Sequence, residues 1–306
     1  MPFFTLISEG YILIGDLHCH TRLSDGSLGI EEIIAFAVKK GLDTIAITDH
    51  DCLAGTVRGK VIGARHGLQV IPGVELSSTF EEADKNVHIL CYRPDSPDML
   101  EGLCKRNSQA RKRASHFMML QVAKRYNIPT EFIAKCATGS TNLYKKHIMQ
   151  ALIECGYADC FNGELYKELF TKESENNILI TPKYESTKSV IDSVHEAGGI
   201  AVLAHPCLTG CEEYIDEFIK MGIDGIEVNH PSAGAEQQEL LRKKASKAKI
   251  LVTGGSDFHG LYNEYKVSLG DYTTSDDEIH ALLTYKSKQK RLQKKLAQNT
   301  EAQAEA

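Results

Sequence analysis

Short apolar runs alternate with amphipathic segments at both ends of the chain, and a long middle region departs from this pattern. Each run is a few residues long and is bounded by Gly, Pro, Asp or Asn, which is typical of buried strands. The predicted strands cover residues 11–14, 43–48, 68–74, 86–92, 200–204, 225–228 and 250–253. Apolar residues at three- and four-residue spacing predict helices over 30–40, 56–66, 106–126, 144–155, 163–170, 186–197, 212–221 and 235–247.

Alternating strands and helices are typical of a parallel α/β barrel. Residues 94–180 carry no clear strand, so we expect a helical insertion there. The predicted order is a first barrel part, a helical cap, a second barrel part and a basic tail that is frayed or disordered. These four segments cover residues 1–93, 94–180, 181–285 and 286–306.

Composition narrows the class of protein. The 306 residues are 42% hydrophobic and 25% charged, and no apolar run approaches the ~18 residues of a membrane helix. The start of the chain lacks the features of a signal peptide. Nine cysteines without a Cys-x-x-Cys pair predict reduced thiols in a cytoplasmic protein. The net charge of −6 argues against a general nucleic-acid coat.

Potential metal ligands follow nearly every predicted strand. His18 and His20 are one residue apart, which directs both imidazoles to the same side of an extended chain. Because the carboxyl ends of parallel barrel strands meet on one face, ligands distant in sequence become neighbours there. The predicted ligands are His18, His20, Asp25, His50, Glu75, His88, His205, Asp257 and His259.

This imidazole and carboxylate set indicates the kind of metal and the chemistry. It suits Zn²⁺, Mn²⁺ or Fe²⁺ better than an all-oxygen Mg²⁺ or Ca²⁺ site. Nine ligands exceed the needs of one tetrahedral ion, so we expect two or three divalent ions. Adjacent ions acidify a shared water and neutralise an anionic substrate, which favours metal-assisted hydrolysis.

The motifs around these residues are specific. They are Asp16-Leu17-His18-Cys19-His20, Ser24-Asp25-Gly26, Ile47-Thr48-Asp49-His50-Asp51, Pro72-Gly73-Val74-Glu75, Val87-His88-Ile89-Leu90, Ala204-His205-Pro206 and Gly255-Ser256-Asp257-Phe258-His259. In these motifs the chain resembles the polymerase-and-histidinol-phosphatase (PHP) family of phosphoesterases. The resemblance implies a distorted (β/α)7 TIM-like barrel.

The resemblance also implies how the ligands divide among ions. One ion would be held by His18, His20, Glu75 and Asp257. Glu75 would bridge to a second ion on His88 and His205, and these three residues would hold the attacking metal-bound hydroxide. A third ion would be held by Asp25, His50 and His259.

The helical insertion resembles the cap of PHP proteins that act on nucleotides. Members of this subgroup remove the 3′-phosphate of nucleoside 3′,5′-bisphosphates or degrade short RNA from its 5′ end. The resemblance implies a small nucleotide or a short oligoribonucleotide as substrate, with neither a membrane nor a long nucleic-acid duplex as partner. The expected substrate-binding residues are His147, Arg111, Arg113, Lys146 and His230.

Three alternatives remain open from the sequence. One is a phosphatase of the histidinol-phosphate type or for another small molecule. Another is a non-catalytic PHP module that binds metal or nucleic acid. The third is a processive exonuclease on longer RNA, which the acidic net charge disfavours because the phosphate backbone requires cationic partners.

Overall fold

Seven strands form one sheet in chain order, β1 to β7, in a computed structural model that describes residues 13–304. The strands are β1 (Gly15–Cys19), β2 (Thr44–Ile47), β3 (Gln69–Phe80), β4 (Lys85–Tyr92), β5 (Ile200–Leu203), β6 (Gly225–Asn229) and β7 (Leu251–Gly254). The backbone amide of His20 donates to Phe258 O, and that of Phe258 donates to His18 O. These bonds join the segment after β7 to β1, so the sheet is a nearly closed barrel.

Helices cover the outside of the barrel and fill the region between β4 and β5. They are α1 (Ile30–Lys39), α2 (Thr56–Arg65), α3 (Glu101–Tyr126), α4 (Thr130–Cys136), α5 (Lys145–Glu154), α6 (Glu164–Phe170), α7 (Thr187–Glu196), α8 (Pro206–Thr209), α9 (Ile215–Met221), α10 (Ala235–Ala248) and α11 (Asp276–Ala304). Among residues 13–304, no helix has the length and apolar character needed to cross a membrane.

The prediction of a mixed α/β barrel is confirmed, but the expectation of parallel strands throughout is wrong at β4. This strand runs antiparallel to both β3 and β5, while the other pairs are parallel. The reason is the short link between β3 and β4, which is a single turn of 3-10 helix, Glu81–Ala83, followed by Asp84 at φ 48°. A parallel crossover needs about a dozen residues or more, so this link forms a hairpin.

The first strand is also displaced from its expected position. Tyr11, where we expected it to begin, lies outside the described residues, and Ile14 is 45% exposed. The strand instead contains Asp16, whose Oδ1 accepts from the Ser256 amide and Oδ2 from the Gly270 amide. These bonds satisfy a buried carboxylate, so a polar residue is tolerated inside the strand.

Apolar packing separates the barrel from the helices between β4 and β5. Leu17, Leu90, Tyr92 and Val202 belong to one apolar cluster of the barrel strands, and the Tyr92 hydroxyl donates to Leu17 O. Helices α3 to α6 contribute to a separate cluster that includes Ile148. Helix α4 was not predicted, because seven residues after a proline give little periodicity. Helix α11 continues to Ala304 through the stretch expected to be a basic tail, where Ala, Gln, Glu and Lys favour helix.

Candidate metal centre

All nine predicted ligands converge at one end of the barrel. His18 lies in β1, and His20, His50 and His205 lie just after the ends of β1, β2 and β5. The others come from loops, except for two whose positions differ from expectation. Glu75 lies in the middle of the long strand β3, and His88 lies in the first half of the reversed strand β4. Residues 75 and 88 are nonetheless near neighbours, because Ser77 pairs with His88 across the hairpin.

Glu75 is the central carboxylate of the group. Its Oε1 lies 2.9 Å from His205 Nε2 and 3.0 Å from His88 Nδ1. Its Oε2 lies 2.9 Å from His50 Nδ1. His18 Nε2 lies 3.4 Å from Oε1, and His20 Nε2 lies 3.4 Å from Oε2. A carboxylate with imidazoles around both oxygens can bridge two cations.

Asp257 completes the group around the first histidine pair. Its Oδ1 lies 3.4 Å from His18 Nε2 and 3.1 Å from His20 Nε2. These two nitrogens therefore face both Glu75 and Asp257, as the spacing of His18 and His20 predicts. The backbone of Asp257 has φ 49°, a conformation that is uncommon outside glycine and that clusters at functional sites.

A further group of side chains surrounds Asp25. Its Oδ1 lies 3.4 Å from His259 Nε2, and its Oδ2 lies 3.7 Å from His50 Nε2. The rings of His20 and His259 stack with centroids 4.1 Å apart. Four potential ligand atoms, from His20, Asp25, His50 and His259, thus lie close enough together to bind one cation.

Burial and mutual charge shift the pKa values in this cluster strongly. Burial acts to raise the pKa of Glu75, but His50, His88 and His18 hold it well below its ordinary value. Burial and the neighbouring His259 lower the pKa of His20 to about 3. Burial also acts to lower the pKa of His259, but Asp25 and Asp257 outweigh it and raise that pKa to about 9. The pKa values of His20 and His259, whose rings stack, are thus shifted in opposite directions.

The buried polar atoms of the site fit divalent cations. Several have no hydrogen-bond partner, although most buried polar atoms in folded proteins have one. They include His18 Nε2, His20 Nε2, Asp25 Oδ1 and His205 Nδ1. His50 Nδ1 and His88 Nδ1 lie close to Glu75 but are not aligned with it as hydrogen bonds. A cluster of imidazole nitrogens and carboxylate oxygens with unused lone pairs is the donor set expected for transition-metal ions.

A second layer of carboxylates holds the ligands in position. Glu227 in β6 is 1% exposed, with Oε1 3.0 Å from His18 Nδ1 and Oε2 accepting from the His205 amide. Asp49 accepts from the Thr21 amide and from the Ser24 hydroxyl, next to Asp25. Asp49 was expected from the sequence to orient a ligand, whereas Glu227 was missed; the available signal for Glu227 was an acidic residue inside an apolar strand.

A cavity of about 360 Å³ opens above the ligands, between the barrel and the helices inserted after β4. Glu75, His88, His205, Asp257 and His259 are among its lining residues on the barrel side. On the insertion side the lining residues include Arg111, Met118, Leu143, Tyr144, Lys145, Lys146, Tyr166, Leu179, Ile180 and Tyr184. The cavity therefore has candidate metal ligands at its base, the ligand floor, and a wall of cationic and aromatic side chains from the insertion.

Two of the five predicted substrate-binding residues, Arg111 and Lys146, line the cavity. Arg111 donates through Nη2 to Asp51 Oδ2 and Ser77 Oγ. Arg113 is exposed and does not line the cavity, since residues two apart on a helix point in nearly opposite directions.

His147 and His230 do not line the cavity either. His147 is 2% exposed, and its Nδ1 accepts from the Tyr144 amide at the start of α5. His230 is buried behind Asp257, with Nε2 3.6 Å from Oδ2 of that residue. Each histidine therefore contacts a residue that lines the cavity, His147 contacting Tyr144 and His230 contacting Asp257. Sequence reasoning also missed Tyr144, which lines the cavity itself.

Comparison with known proteins identifies the family. A model of the PHP domain matches residues 16–253. The chain belongs to the PHP family. A solved structure from Bifidobacterium adolescentis, described as that of a putative metal-dependent phosphoesterase, is 30% identical and superposes with a TM-score of 0.80, covering 88% of this chain and 95% of that one.

Curated relatives of this PHP protein hydrolyse phosphate esters. The phosphoribosyl 1,2-cyclic phosphate 1,2-diphosphodiesterase of Eggerthella lenta is 31% identical over 82% of this chain and 95% of its own length. The 5′-3′ exoribonuclease Rnm of Escherichia coli is 29% identical over 81% and 86%. The 3′,5′-nucleoside bisphosphate phosphatase of Chromobacterium violaceum is 26% identical over 80% and 86%. This PHP protein is a metal-dependent phosphoesterase.

Proposed function

We propose that this phosphoesterase removes the 3′-phosphate of nucleoside 3′,5′-bisphosphates and also acts on short 5′-phosphorylated RNA. The observation that carries the proposal is a cavity in which the ligand cluster faces cationic, aromatic and apolar side chains. A phosphate on the ligand floor leaves the wall to bind a second phosphate and a nucleoside. A simple phosphatase needs no such wall.

The ligand cluster divides among two or three ions of Mn²⁺, Zn²⁺ or Fe²⁺. His18, His20, Glu75 and Asp257 form the first group, and Glu75 links it to His88 and His205. Asp25, His50 and His259 form the third group. When bound, such ions acidify water and neutralise the charge that develops on the phosphoryl oxygens.

The protein's own contribution at this floor is to orient the ligands. Glu227 accepts a hydrogen bond from His18 Nδ1 and thereby directs His18 Nε2 toward Glu75 and Asp257. Asp49 holds the loop that carries Asp25. A ligand set positioned in advance pays little reorganisation cost when the substrate arrives.

Arg111 and Lys146 bind the second phosphate. The guanidinium of Arg111 is held by Asp51 and Ser77 through Nη2, while its Nε is buried without a partner. It thus keeps donor capacity for an anion in the cavity. Lys146 lies 5.1 Å from the ring of Tyr166, and its neighbour Lys145 lines the same wall. Arginine with lysine is a common arrangement for phosphate binding.

The apolar part of the wall fits a nucleobase. Met118, Leu143, Leu179 and Ile180 line it next to the ring of Tyr166. Aromatic and aliphatic side chains hold a flat base by stacking and apolar contact. This surface favours a nucleotide over histidinol phosphate, whose imidazole is smaller than a nucleobase and whose amine carries positive charge.

The direct test is phosphate release from adenosine 3′,5′-bisphosphate with Mn²⁺. We expect orthophosphate and adenosine 5′-monophosphate, with a kcat/KM at least tenfold above that for histidinol phosphate or adenosine 3′-monophosphate. Phosphorylated di- and trinucleotides are assayed as further substrates, and long RNA is assayed for contrast. Equal or faster turnover of histidinol phosphate by metal-loaded protein would refute the nucleotide assignment.

A second candidate substrate is a phosphoribosyl cyclic phosphate. The Eggerthella lenta diphosphodiesterase supports it, because the match covers 95% of that protein at 31% identity. Ribose 1,2-cyclic phosphate 5-phosphate belongs in the same assay panel. Such a substrate lacks a base, so replacing Ile180 by Ser should spare its turnover and impair that of the nucleoside bisphosphate.

A binding module without catalysis is the alternative from a different class. The variant His20→Ala separates the two, since an enzyme loses turnover while a module keeps its nucleic-acid affinity.

Residues 94–180 act in our proposal as a cap on a barrel built from 1–93 and 181–285, supported by the separate apolar cluster of α3 to α6. All nine cysteines are free, which fits the reducing cytoplasm.

A further inference from the structure

The hydroxyl of Tyr144 is buried and has no hydrogen-bond partner. The side chain is 5% exposed and lines the cavity beside the ligand cluster. Buried tyrosine hydroxyls normally find a partner, because an unpaired buried hydroxyl destabilises the fold. A polar atom that the fold leaves unsatisfied at a substrate cavity points to a ligand atom as its partner.

Neighbouring groups hold the ring of Tyr144 in one place. It stacks on the ring of His50, with centroids 6.0 Å apart and planes 21° apart. The Arg111 guanidinium covers its ring at 4.9 Å. Its backbone amide donates to His147 Nδ1, which fixes the residue at the start of α5. The hydroxyl is therefore a donor positioned before any substrate arrives.

The phenol remains a donor under ordinary conditions. A tyrosine hydroxyl ordinarily loses its proton only near pH ~10. The hydroxyl is therefore protonated at neutral pH. An acceptor-rich group such as a phosphoryl is the chemically matched partner for a neutral O–H beside an arginine.

We propose that Tyr144 is a catalytic residue whose hydroxyl donates a hydrogen bond to a non-bridging oxygen of the phosphoryl group undergoing hydrolysis. The stacking on His50 places it beside the group that includes Asp25 and His259. The hydrogen bond stabilises the charge that accumulates on the equatorial oxygens. This assignment rests on the phosphoesterase activity and extends it to a residue outside the ligand set.

The test compares Tyr144→Phe with Tyr157→Phe. The control removes a hydroxyl from the same inserted region, where Tyr157 donates to Tyr126 O and does not line the cavity. We expect kcat of Tyr144→Phe to fall about 10²-fold, the typical effect of losing one transition-state donor. The fall should be equal for adenosine 3′,5′-bisphosphate and p-nitrophenyl phosphate, because both present a scissile phosphoryl.

Two readouts besides turnover complete the experiment. The inhibition constant of inorganic phosphate should rise several-fold in Tyr144→Phe and stay unchanged in Tyr157→Phe. The melting temperature of Tyr144→Phe should equal or exceed that of the wild type, because the change removes an unpaired buried hydroxyl. A role in stability alone would instead lower the melting temperature and leave kcat intact.

Wild-type kcat in Tyr144→Phe would overturn the proposal. So would a loss confined to the bisphosphate, since that result assigns the hydroxyl to the second phosphate. Failure of the nucleotide assignment would give a different result. The wild type would then leave the bisphosphate intact and hydrolyse p-nitrophenyl phosphate or another phosphate ester of the assay panel. The comparison of the two tyrosine variants is made on that ester in this case.

Discussion

Nδ1 of His18 lies 3.0 Å from Oε1 of Glu227, and both side chains are fully buried. Burial acts to lower the pKa of His18, but Glu227, Glu75 and Asp257 outweigh it and hold the pKa well above its ordinary value. The contact determines which ring nitrogen faces the ligand cluster. Because Nδ1 carries a hydrogen that it donates to Glu227, Nε2 is the nitrogen left to bind a cation. Glu227 is therefore a positioning residue for the metal centre.

Replacing Glu227 by Gln should weaken Mn²⁺ binding about 10–100-fold, the usual cost of losing such a partner. The amide keeps the size of the side chain but removes the charge that stabilises His18. Calorimetric titration of metal-free protein with Mn²⁺ measures the change. Glu239→Gln is the control, because Glu239 is exposed on α10 and pairs only with Lys243. Unchanged affinity in Glu227→Gln contradicts the positioning role.

Arg111→Lys should lower kcat/KM for adenosine 3′,5′-bisphosphate roughly 10–100-fold, because lysine cannot contact Asp51, Ser77 and a phosphate together. The loss should appear mainly in KM and should be much smaller for adenosine 3′-monophosphate. Arg113→Lys provides the matched control on the exposed side of α3 and should stay within twofold of the wild type. Equal effects of the two variants would place the second phosphate elsewhere.

Metal affinity should rise with pH up to about 9. Asp25 and Asp257 raise the pKa of His259 to about 9 against the opposing effect of burial, so below that pH a proton must leave before the imidazole can bind a cation. His259→Asn should release about one proton fewer when Mn²⁺ binds at pH 7.5. Titrations in two buffers of different ionisation enthalpy count these protons.

The same residue affects the stability of the metal-free protein with the opposite dependence on pH. A folded-state pKa above the unfolded one stabilises the fold fully below pH 6.5, and this contribution disappears as the pH rises through 9. Urea denaturation of protein freed of metal with a chelator should show that the free energy of unfolding falls between pH 6 and 9.5. The His259→Asn variant should not show this fall. Equal pH profiles in the two proteins would contradict the raised pKa.

Gly255→Ala should destabilise the fold by about 1–3 kcal/mol, as overpacking of a close contact does. A Cβ at Gly255 would lie 2.4 Å from His18 Cβ and 2.5 Å from its backbone nitrogen, so β1 would have to shift. Mn²⁺ binding should weaken as His18 moves. Gly102→Ala in α3 has the opposite expectation, a gain of about 0.5–1 kcal/mol, because only the end of the Arg106 side chain is nearby. Urea denaturation measures both.

The convergence of the nine candidate ligands was predictable because each lies close to a short apolar run, and such runs are local in sequence. The direction of β4 was not read correctly, although the short link before it contained the signal. Eleven residues separate the predicted strands 68–74 and 86–92, which is too few for a helical crossover. The sequence analysis treated the alternation as uniform and so missed the hairpin.

The insertion was harder to predict, because its side chains reach the site only through the packing of α3. Leu103, Asn107, Arg111, Met118 and Val122 recur at intervals of four or seven residues and mark the face of α3 turned toward the protein. This spacing includes Arg111 and excludes Arg113. For Tyr144 the sequence carried no comparable signal, since only the fold reveals a hydroxyl without a partner.

The reversed strand determines where the cavity wall begins. Because β4 enters at the ligand end, its last residue, Tyr92, delivers the chain to the opposite end of the barrel. Helix α3 has to return, and its 26 residues span about 39 Å. It packs on the barrel through Leu103 and on the neighbouring helices through Met118. Helix α3 therefore carries the inserted helices from the far end of the barrel to the ligand end, and one added turn would lengthen that path by about 5.4 Å.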